Sequence, residues 1–214
     1  MTTRGFFVTV EGPEASGKTT AIEQVTRELA LRGCNPLRTR EPGGTQVGVA
    51  IRKLLLDGSA TPCSRSEFLL FQADRAQHVE DVIEPALAGG RLIVCDRYIL
   101  SSIAYQVEGR NIPRDAALEA IRLATKGLVP DLTILLTVNL DVSMKRLAMR
   151  GAENRLDNEK REFHESVHRA YEMYFGGAFA KSWLRIDTSP PHMTPDVVAD
   201  LMTDAIVQAH RRAA

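Results

Sequence analysis

Five short apolar runs, separated by longer stretches with helical spacing, constrain the fold of this 214-residue chain most strongly. The runs are mostly rich in β-branched or large apolar residues, and few polar residues interrupt them, which is typical of strands buried on both faces. They lie at residues 6–10, 36–40, 91–96, 132–138 and 183–187. Helical spacing of apolar residues covers residues 18–32, 66–88, 115–125 and 141–150. This alternation predicts an α/β fold, a parallel five-stranded sheet with helices on both faces.

The composition indicates one cytoplasmic domain. No repeat, low-complexity tract or linker divides residues 1–214, and 27 basic residues balance 27 acidic ones. The charge balance gives no electrostatic reason to expect a nucleic-acid polymer or a membrane as partner. No apolar run approaches the ~18 residues of a membrane span, and the N-terminal run is too short for a signal peptide. The three cysteines lack metal-ligand spacing, so we expect reduced thiols, with Cys95 in the core.

The motif GPEASGKT, residues 12–19, follows the first predicted strand and precedes the first predicted helix. Glycine allows backbone angles that point successive N–H groups at an anion, and the helix N-terminus adds to the attraction. Lys18 is then placed to reach the β and γ phosphates of a nucleotide, and the Thr19 hydroxyl to bind Mg²⁺. The residues predicted to bind the nucleotide are Gly12, Pro13, Glu14, Ala15, Ser16, Gly17, Lys18, Thr19 and Thr20.

The rest of the chain favours a kinase over a nucleotide-hydrolysing switch. The switch motifs N-K-x-D and D-x-x-G do not occur in the sequence. The third predicted strand instead ends with Asp96, followed by Arg97, at the carboxyl edge of the sheet where ligands bind in such folds. Asp96 is placed to hold the metal or its water, and Arg97 to bring a fixed positive charge into the same crevice. These features predict phosphate transfer to a second small molecule.

Three further stretches follow the phosphate loop in a specific order. They are TREPGGTQVG (39–48), FLLFQADRAQHVEDVIEPAL (68–87) and DRYILSSIAYQ (96–106). In the second stretch Phe68, Phe71 and Arg75 share one helix face at i, i+3 and i+7. Together the motifs closely resemble the thymidylate kinases, P-loop enzymes that transfer phosphate from ATP to dTMP. The resemblance extends from about residue 6 to residue 174, most of the chain.

The resemblance implies where the acceptor dTMP binds. Phe71 offers a flat surface for its base, whereas Arg75 and Arg97 offer planar forks that can grip its phosphate through paired hydrogen bonds. By the family pattern, Ser102 and Gln106 line the base.

The same resemblance implies the remaining ligands and the assembly. Pro42 packs near the sugar, and Glu14 lies near the 3′-hydroxyl of the acceptor and the bound metal. The implied ligands are ATP, Mg²⁺ and small nucleotide substrates, the implied products are dTDP and ADP, and the implied assembly is a homodimer.

Residues 149–160, MRGAENRLDNEK, resemble the mobile lid of the family, which closes over ATP and excludes water. Some family members carry a catalytic arginine in the phosphate loop, but Ala15 and Ser16 stand there in this chain. The arginines of the lid are therefore expected to meet the charge of the transition state. The predicted catalytic residues are Glu14, Lys18, Arg97, Arg150 and Arg155.

Three positions depart from the family pattern. Ala15 stands where a glycine is common, and Asn154 and Asp157 replace the acidic residues of the usual D-R-x-E in the lid. These departures leave the prediction of ATP-dependent phosphorylation intact. They also leave open an alternative acceptor, a modified deoxyuridine monophosphate or another small molecule.

A competing motif from another class of enzyme lies at residues 164–168. His164, Glu165 and His168 have the H-E-x-x-H spacing by which a helix can hold zinc beside a general base. The apolar stripe of the same helix runs through residues 163, 167, 171 and 174, which predicts that both histidines lie beside it, toward solvent. No third histidine follows at the metzincin spacing, so the zinc hydrolase is the remote alternative.

Overall fold

The computed structural model describes residues 4–58, 60–152 and 154–213. Within them, five parallel strands form one sheet in the order β2-β3-β1-β4-β5. The strands are β1 (Phe6–Glu11), β2 (Leu37–Arg40), β3 (Leu92–Asp96), β4 (Leu132–Thr137) and β5 (Trp183–Asp187). All five predicted strands, and with them the α/β fold class, are confirmed.

Helices cover both faces of the sheet. They are α1 (Lys18–Leu31), α2 (Gln46–Leu56), α3 (Ser64–His78), α4 (Glu84–Ala88), α5 (Ile99–Ser102), α6 (Arg114–Thr125), α7 (Leu140–Arg150), α8 (Arg161–Tyr174) and α9 (Pro195–Ala213). Two π-helical segments lie at Val79–Ile83 and Ile103–Glu108, and a 3₁₀-helix at Arg155–Asn158. The helices predicted at residues 18–32, 115–125 and 141–150 are confirmed to within one residue at each end.

Residues 66–88, predicted as one helix, are helical throughout but include a π-helical turn. The π-helical segment Val79–Ile83 separates α3 from α4, and Pro85 occupies the first turn of α4. Proline has no N–H to give to the preceding turn, and its ring collides with the carbonyl four residues earlier. The wider π-helical turn relieves that collision.

The core lies on both faces of the sheet because side chains of a strand alternate between them. Phe6 and Val8 of β1 pack with residues of α1 and α9 on one face. Phe7 packs with residues of α3, α4 and α6 on the other face. A third apolar cluster joins the end of β4 to α8 and to Leu156, in the predicted lid.

The strand order determines where a ligand can bind. β1 lies between β3 and β4: the connection from β1 runs to β2 on one side, whereas the connection from β3 runs to β4 on the other side. In such sheets the loops after the carboxyl ends of these strands diverge and leave a crevice. The motif GPEASGKT follows β1 at this crevice, and Asp96 ends β3 beside it.

Cys95 is fully buried, as predicted, and the three cysteines are unpaired. No helix among the described residues is both long and apolar enough to cross a membrane.

Asp131, just before β4, links three parts of the fold. Its carboxylate accepts hydrogen bonds from the Phe7 backbone N–H at 2.9 Å, from Arg4 at 2.9 Å and from Lys181 at 2.6 Å. Burial alone would raise the pKa of Asp131, but these hydrogen bonds lower it below the ordinary value of 3.8. A lowered pKa means that the charged carboxylate stabilises the fold above the ordinary pKa, and that this contribution is lost as the pH falls through the folded-state pKa.

We predict that Asp131→Ala lowers the free energy of unfolding by about 1–3 kcal/mol at pH 7, because the fully buried Phe7 N–H loses its acceptor. The difference from wild type should shrink below pH 3.8. Urea unfolding from pH 7 to pH 3 measures both effects. Asp204→Ala removes an equally short ion pair, to Arg32, that is exposed on both sides, and should change little. Equal losses in the two variants would contradict the anchoring role.

Candidate active site

The phosphate loop has the predicted context, because β1 ends at Glu11 and α1 begins at Lys18. Gly12 has φ +150°, and a Cβ there would lie 2.3 Å from the carbonyl oxygen of Leu136. Gly17 has φ +88°, in the left-handed region where side chains are costly. The two glycines are therefore required by close approach at one position and by backbone conformation at the other.

Lys18 lies across the loop. Its Nζ donates to the carbonyl oxygens of Gly12 at 2.9 Å and Pro13 at 2.7 Å, and lies 3.3 Å from Ser16 Oγ. Burial, together with the nearby charge of Arg97, lowers the pKa of Lys18 to about 8. The ammonium group thus remains largely charged at neutral pH. An anion bound in the loop would lie next to it and could pair with it.

An ion pair joins the phosphate loop to the end of β3. Arg97 donates to Glu14 Oε1 at 2.8 Å and to the Gly12 carbonyl at 3.0 Å. Burial alone would raise the pKa of Glu14, but the charges of Arg97 and Lys18 and a hydrogen bond from Tyr105 lower it to about 2. Arg97 has φ +69° and Ala15 has φ +55°, both in the left-handed region. Backbone strain of this kind persists only where surrounding contacts hold it.

A second carboxylate, that of Glu11, holds the turn after β3 and was missed by the sequence analysis. Its Oε1 accepts from the Tyr98 backbone N–H at 2.8 Å and its Oε2 from Ser101 Oγ at 2.6 Å. Burial raises the pKa of Glu11, partly offset by these hydrogen bonds and by Arg97. The only signal in the sequence was a charged residue ending an apolar strand.

These elements enclose a cavity of about 860 Å³. It has the phosphate loop and α1 on one side and residues of α3 and Ile103–Glu108 on another. The predicted site residues that line it are Glu14, Ala15, Gly17, Lys18, Thr19, Thr20, Pro42, Phe71, Arg75, Asp96, Arg97, Ser102, Gln106 and Arg150. Gly12, Pro13, Ser16 and Arg155 are the predicted site residues that do not.

The cavity contains side chains that fit a Mg²⁺ ion. Among the described residues, Asp96 Oδ1 is buried and has no hydrogen-bond partner. Thr19, the first residue after the lysine of the loop, lines the same cavity. Mg²⁺ binds proteins through one or two oxygen ligands and keeps several waters, so this pair suffices where substrate phosphates complete the shell.

Arg75 is held firmly at the cavity wall. Its guanidinium donates to Glu41 Oε2 at 2.8 Å, to Gln72 Oε1 and Ser102 Oγ at 2.9 Å each, and to the Tyr98 carbonyl at 2.8 Å. These contacts use four of the five N–H groups of an arginine. The role in binding the acceptor phosphate stays a prediction, for which the contacts among the described residues leave one N–H.

Four arginines that line the cavity were not predicted from the sequence: Arg38, Arg40, Arg52 and Arg146. Arg146 also donates to the Thr188 carbonyl at 2.8 Å. Arg146 lies four residues before Arg150 on α7, so helical spacing alone would have placed both on one face. Arg40 ends β2 at the carboxyl edge of the sheet, which was a usable signal as well.

The two arginines of the predicted lid have different surroundings. Arg150 lines the cavity and donates to Asp157 Oδ2 at 2.9 Å. Arg155 instead donates to Glu67 Oε2 at 2.6 Å and to the Leu55 carbonyl at 3.2 Å. Asn154 and Asp157, the two departures in this segment, cap the 3₁₀-helix Arg155–Asn158 reciprocally. The catalytic role of Arg155 therefore stays a prediction that its position here does not favour.

The prediction that the histidines of α8 lie toward solvent is wrong. His164 is only 3% exposed, and Nε2 of both His164 and His168 is buried. The reason is that α8 packs against β4, α7 and Ile103–Glu108, so more than one stripe of the helix is covered. Burial and the neighbouring His164 lower the pKa of His168 to about 4. Within the described ranges no three His, Cys, Asp or Glu side chains are grouped to hold a metal.

Comparisons with known proteins agree with this geometry. The model of the family described as thymidylate kinase matches residues 10–200. A thymidylate kinase of Thermomicrobium roseum is 41% identical over 208 residues, which cover 97% of each chain. That of Carboxydothermus hydrogenoformans is 44% identical over 168 residues, 78% of this chain and 83% of the relative. That of Bdellovibrio bacteriovorus is 38% identical over 209 residues, 94% of this chain and 95% of the relative.

The family match covers the phosphate loop, the cavity walls and the lid segment, and the relatives are similar over most of their own length. The fold, the cavity and the similarity lead to one conclusion: the chain belongs to the thymidylate kinase family.

Proposed function

We propose that the cavity described above binds MgATP and dTMP together and that its side chains carry out direct transfer of the γ-phosphate. The overall reaction is that of the family: ATP and dTMP give dTDP and ADP. The observation that carries the assignment of the site is that one cavity joins the phosphate loop to Phe71, Ser102 and Gln106. A single cavity lets donor and acceptor meet without an intermediate carrier.

On the donor side, the phosphate loop supplies N–H groups and Lys18. When the β and γ phosphates enter, they can take the Lys18 ammonium from the carbonyl oxygens that now hold it. Thr19 and Asp96 would hold the Mg²⁺ ion, which when bound neutralises phosphate charge. Glu14 keeps Arg97 oriented toward the same space through their ion pair.

At the reacting centre, an oxygen of the acceptor phosphate attacks the γ-phosphorus while the bond to the β–γ bridging oxygen breaks. ADP leaves with the electrons of that bond. Both reactants are anions, so the main task of the protein is to hold them in line and to neutralise charge. We assign this task to Lys18, Arg97 and Arg150, because all three are basic side chains that line the cavity.

The acceptor experiment compares kcat/KM for a panel of monophosphates with MgATP. It includes dTMP, dUMP, a 5-modified deoxyuridine monophosphate and dCMP. The proposal expects dTMP to have the highest kcat/KM. A clear preference for the modified nucleotide would establish the alternative acceptor, and no phosphorylation of any member would overturn the assignment of the cavity.

We also propose a homodimer in the cytoplasm. Large apolar side chains are exposed on three neighbouring helices: Val47 and Leu54 on α2, Leu69 on α3 and Leu123 on α6. Burial of such side chains against a second copy would remove apolar surface from water. The unpaired cysteines fit a reducing compartment. Light scattering of the purified protein tests the assembly: a mass of one chain, about 23.6 kDa, would contradict the dimer.

We predict that Arg75→Ala lowers the free energy of unfolding by about 3–5 kcal/mol, because Glu41 would keep a buried charge without its guanidinium partner. Chemical denaturation measures this loss. Arg38→Ala is the matched control, since its ion pair with Glu23 is exposed on both sides. If the two arginine variants lose the same small amount, Arg75 is not part of the framework of the acceptor wall.

For the lid, Arg150→Ala should lower kcat on the order of 10³-fold while leaving the KM for dTMP within a few-fold. The reason is that a contact made only with the transferring phosphate stabilises the transition state and not the bound acceptor. Steady-state kinetics measures both constants. Arg161→Ala, which removes exposed ion pairs of α8 just after the lid, is the control and should leave both constants unchanged. A kcat for Arg150→Ala close to that of wild type would remove Arg150 from this role.

A further inference from the structure

We propose that Glu67 couples recognition of the acceptor base to docking of the lid. The inference deepens the proposed function and rests on it, since it assumes that Gln106 faces the acceptor base. It assigns to Glu67 a positioning role, because this carboxylate acts on the substrates only through other side chains.

Glu67 lies in the first turn of α3 and is 1% exposed. Its Oε1 accepts from Gln106 Nε2 at 3.0 Å and from Arg110 Nε at 3.3 Å. Its Oε2 accepts from Arg155 at 2.6 Å, and Arg110 lies 3.3 Å from the same oxygen. One buried carboxylate therefore contacts a residue of the acceptor wall and a residue of the lid at once.

The contact with Glu67 determines how the amide of Gln106 is oriented. A carboxylate paired with two arginines can only accept hydrogen bonds, so the amide must turn its NH₂ group toward it. Among the described residues no donor contacts the other end of the amide, Gln106 Oε1, and this oxygen is not one of the fully buried unpartnered atoms. Since Gln106 lines the cavity, its amide oxygen is the group offered to a ligand.

With its amide held in this orientation, Gln106 offers a hydrogen-bond acceptor that distinguishes between pyrimidine bases. Thymine and uracil carry N3–H, a donor that can pair with the amide oxygen. Cytosine has an unprotonated N3, an acceptor that would face the same oxygen without a hydrogen bond. Sites that present a buried polar group to a substrate strongly reject an analogue that cannot pair with it. A freely rotating amide would lose this discrimination, because it could offer its NH₂ group to cytosine.

The other carboxylate oxygen of Glu67, Oε2, holds the lid in place through its ion pair with Arg155. Arg155 begins the 3₁₀-helix of the lid, and besides Glu67 it contacts the Leu55 carbonyl at the end of α2. The next residue, Leu156, is 6% exposed and packs into the apolar cluster with Phe163. If the lid moved away, Glu67 would lose its shortest ion pair while remaining buried, which is costly. The carboxylate therefore favours the docked lid and the fixed Gln106 amide together.

Glu67→Gln tests the coupling with an isosteric change. The new amide can donate as well as accept, so it no longer dictates the orientation of Gln106, and it loses the charge that attracts Arg155. We expect the ratio of kcat/KM for dTMP to kcat/KM for dCMP to fall roughly tenfold or more. We also expect faster hydrogen exchange of the backbone amides of residues 149–160 in the presence of both substrates.

Glu159→Gln is the matched control. Glu159 pairs with Arg110 and lies 3.7 Å from Arg155, but it has no contact with Gln106. This variant should speed hydrogen exchange in the lid and leave the dTMP-to-dCMP ratio within about twofold of wild type. A general loss of structure would change both readouts in the same way in the two variants, whereas the proposal expects the dTMP-to-dCMP ratio to change only in Glu67→Gln. If Glu67→Gln does not fold, Glu67→Asp, which keeps the charge but withdraws it by one methylene, replaces it in the same comparison.

The outcomes separate the inference from the proposed function. If the wild-type protein phosphorylates dTMP and the Glu67 variant keeps both the ratio and the lid protection, the coupling is wrong and the proposed function stands. If only one of the two readouts changes, Glu67 either orients Gln106 or holds the lid but does not link the two, and the coupling is again wrong. If the wild-type protein phosphorylates no pyrimidine monophosphate, the proposed function itself fails.

Discussion

The ion pair between Arg97 and Glu14 connects the two segments on which the rest of the site depends. One partner follows β3 and the other belongs to the phosphate loop after β1, and their charged groups lie 2.8 Å apart. Arg97 holds a left-handed backbone conformation to reach this position, and Arg97 also contacts the Gly12 carbonyl. Because strands β1 and β3 are neighbours, the pair brings the donor loop and the acceptor side to one edge of the sheet.

The burial of charged side chains is the second constraint. Two buried carboxylates are each paired with two basic side chains and not with one. Glu41 is shared by Arg75 and His78, and Glu67 is shared by Arg110 and Arg155. Removal of one partner from such a network leaves a charge without compensation in a poorly solvated region. Arg75, the arginine of these networks that lines the cavity, is thus held before any substrate arrives, which spares the reaction the cost of orienting it.

The strands and the phosphate loop could be predicted from the sequence, because the residues that indicate them lie close together in the chain. A buried strand, two glycines at fixed positions and a lysine determine the phosphate loop, and all five strands follow from their apolar runs. Contacts between residues far apart in the sequence could not be predicted. Nothing in the local pattern of α8 shows that three other elements pack against this helix, and nothing near Arg155 shows that its partner is Glu67, 88 residues earlier.

The proposed function is direct transfer of phosphate from ATP to dTMP within one cavity. Its most direct test is the stoichiometry of the reaction, measured as dTDP and ADP formed from the same MgATP mixture with and without dTMP. Direct transfer predicts one dTDP for each ADP, and almost no ADP when dTMP is left out, because water is kept from the γ-phosphate. Formation of ADP at a similar rate in both mixtures, without matching dTDP, would contradict the account.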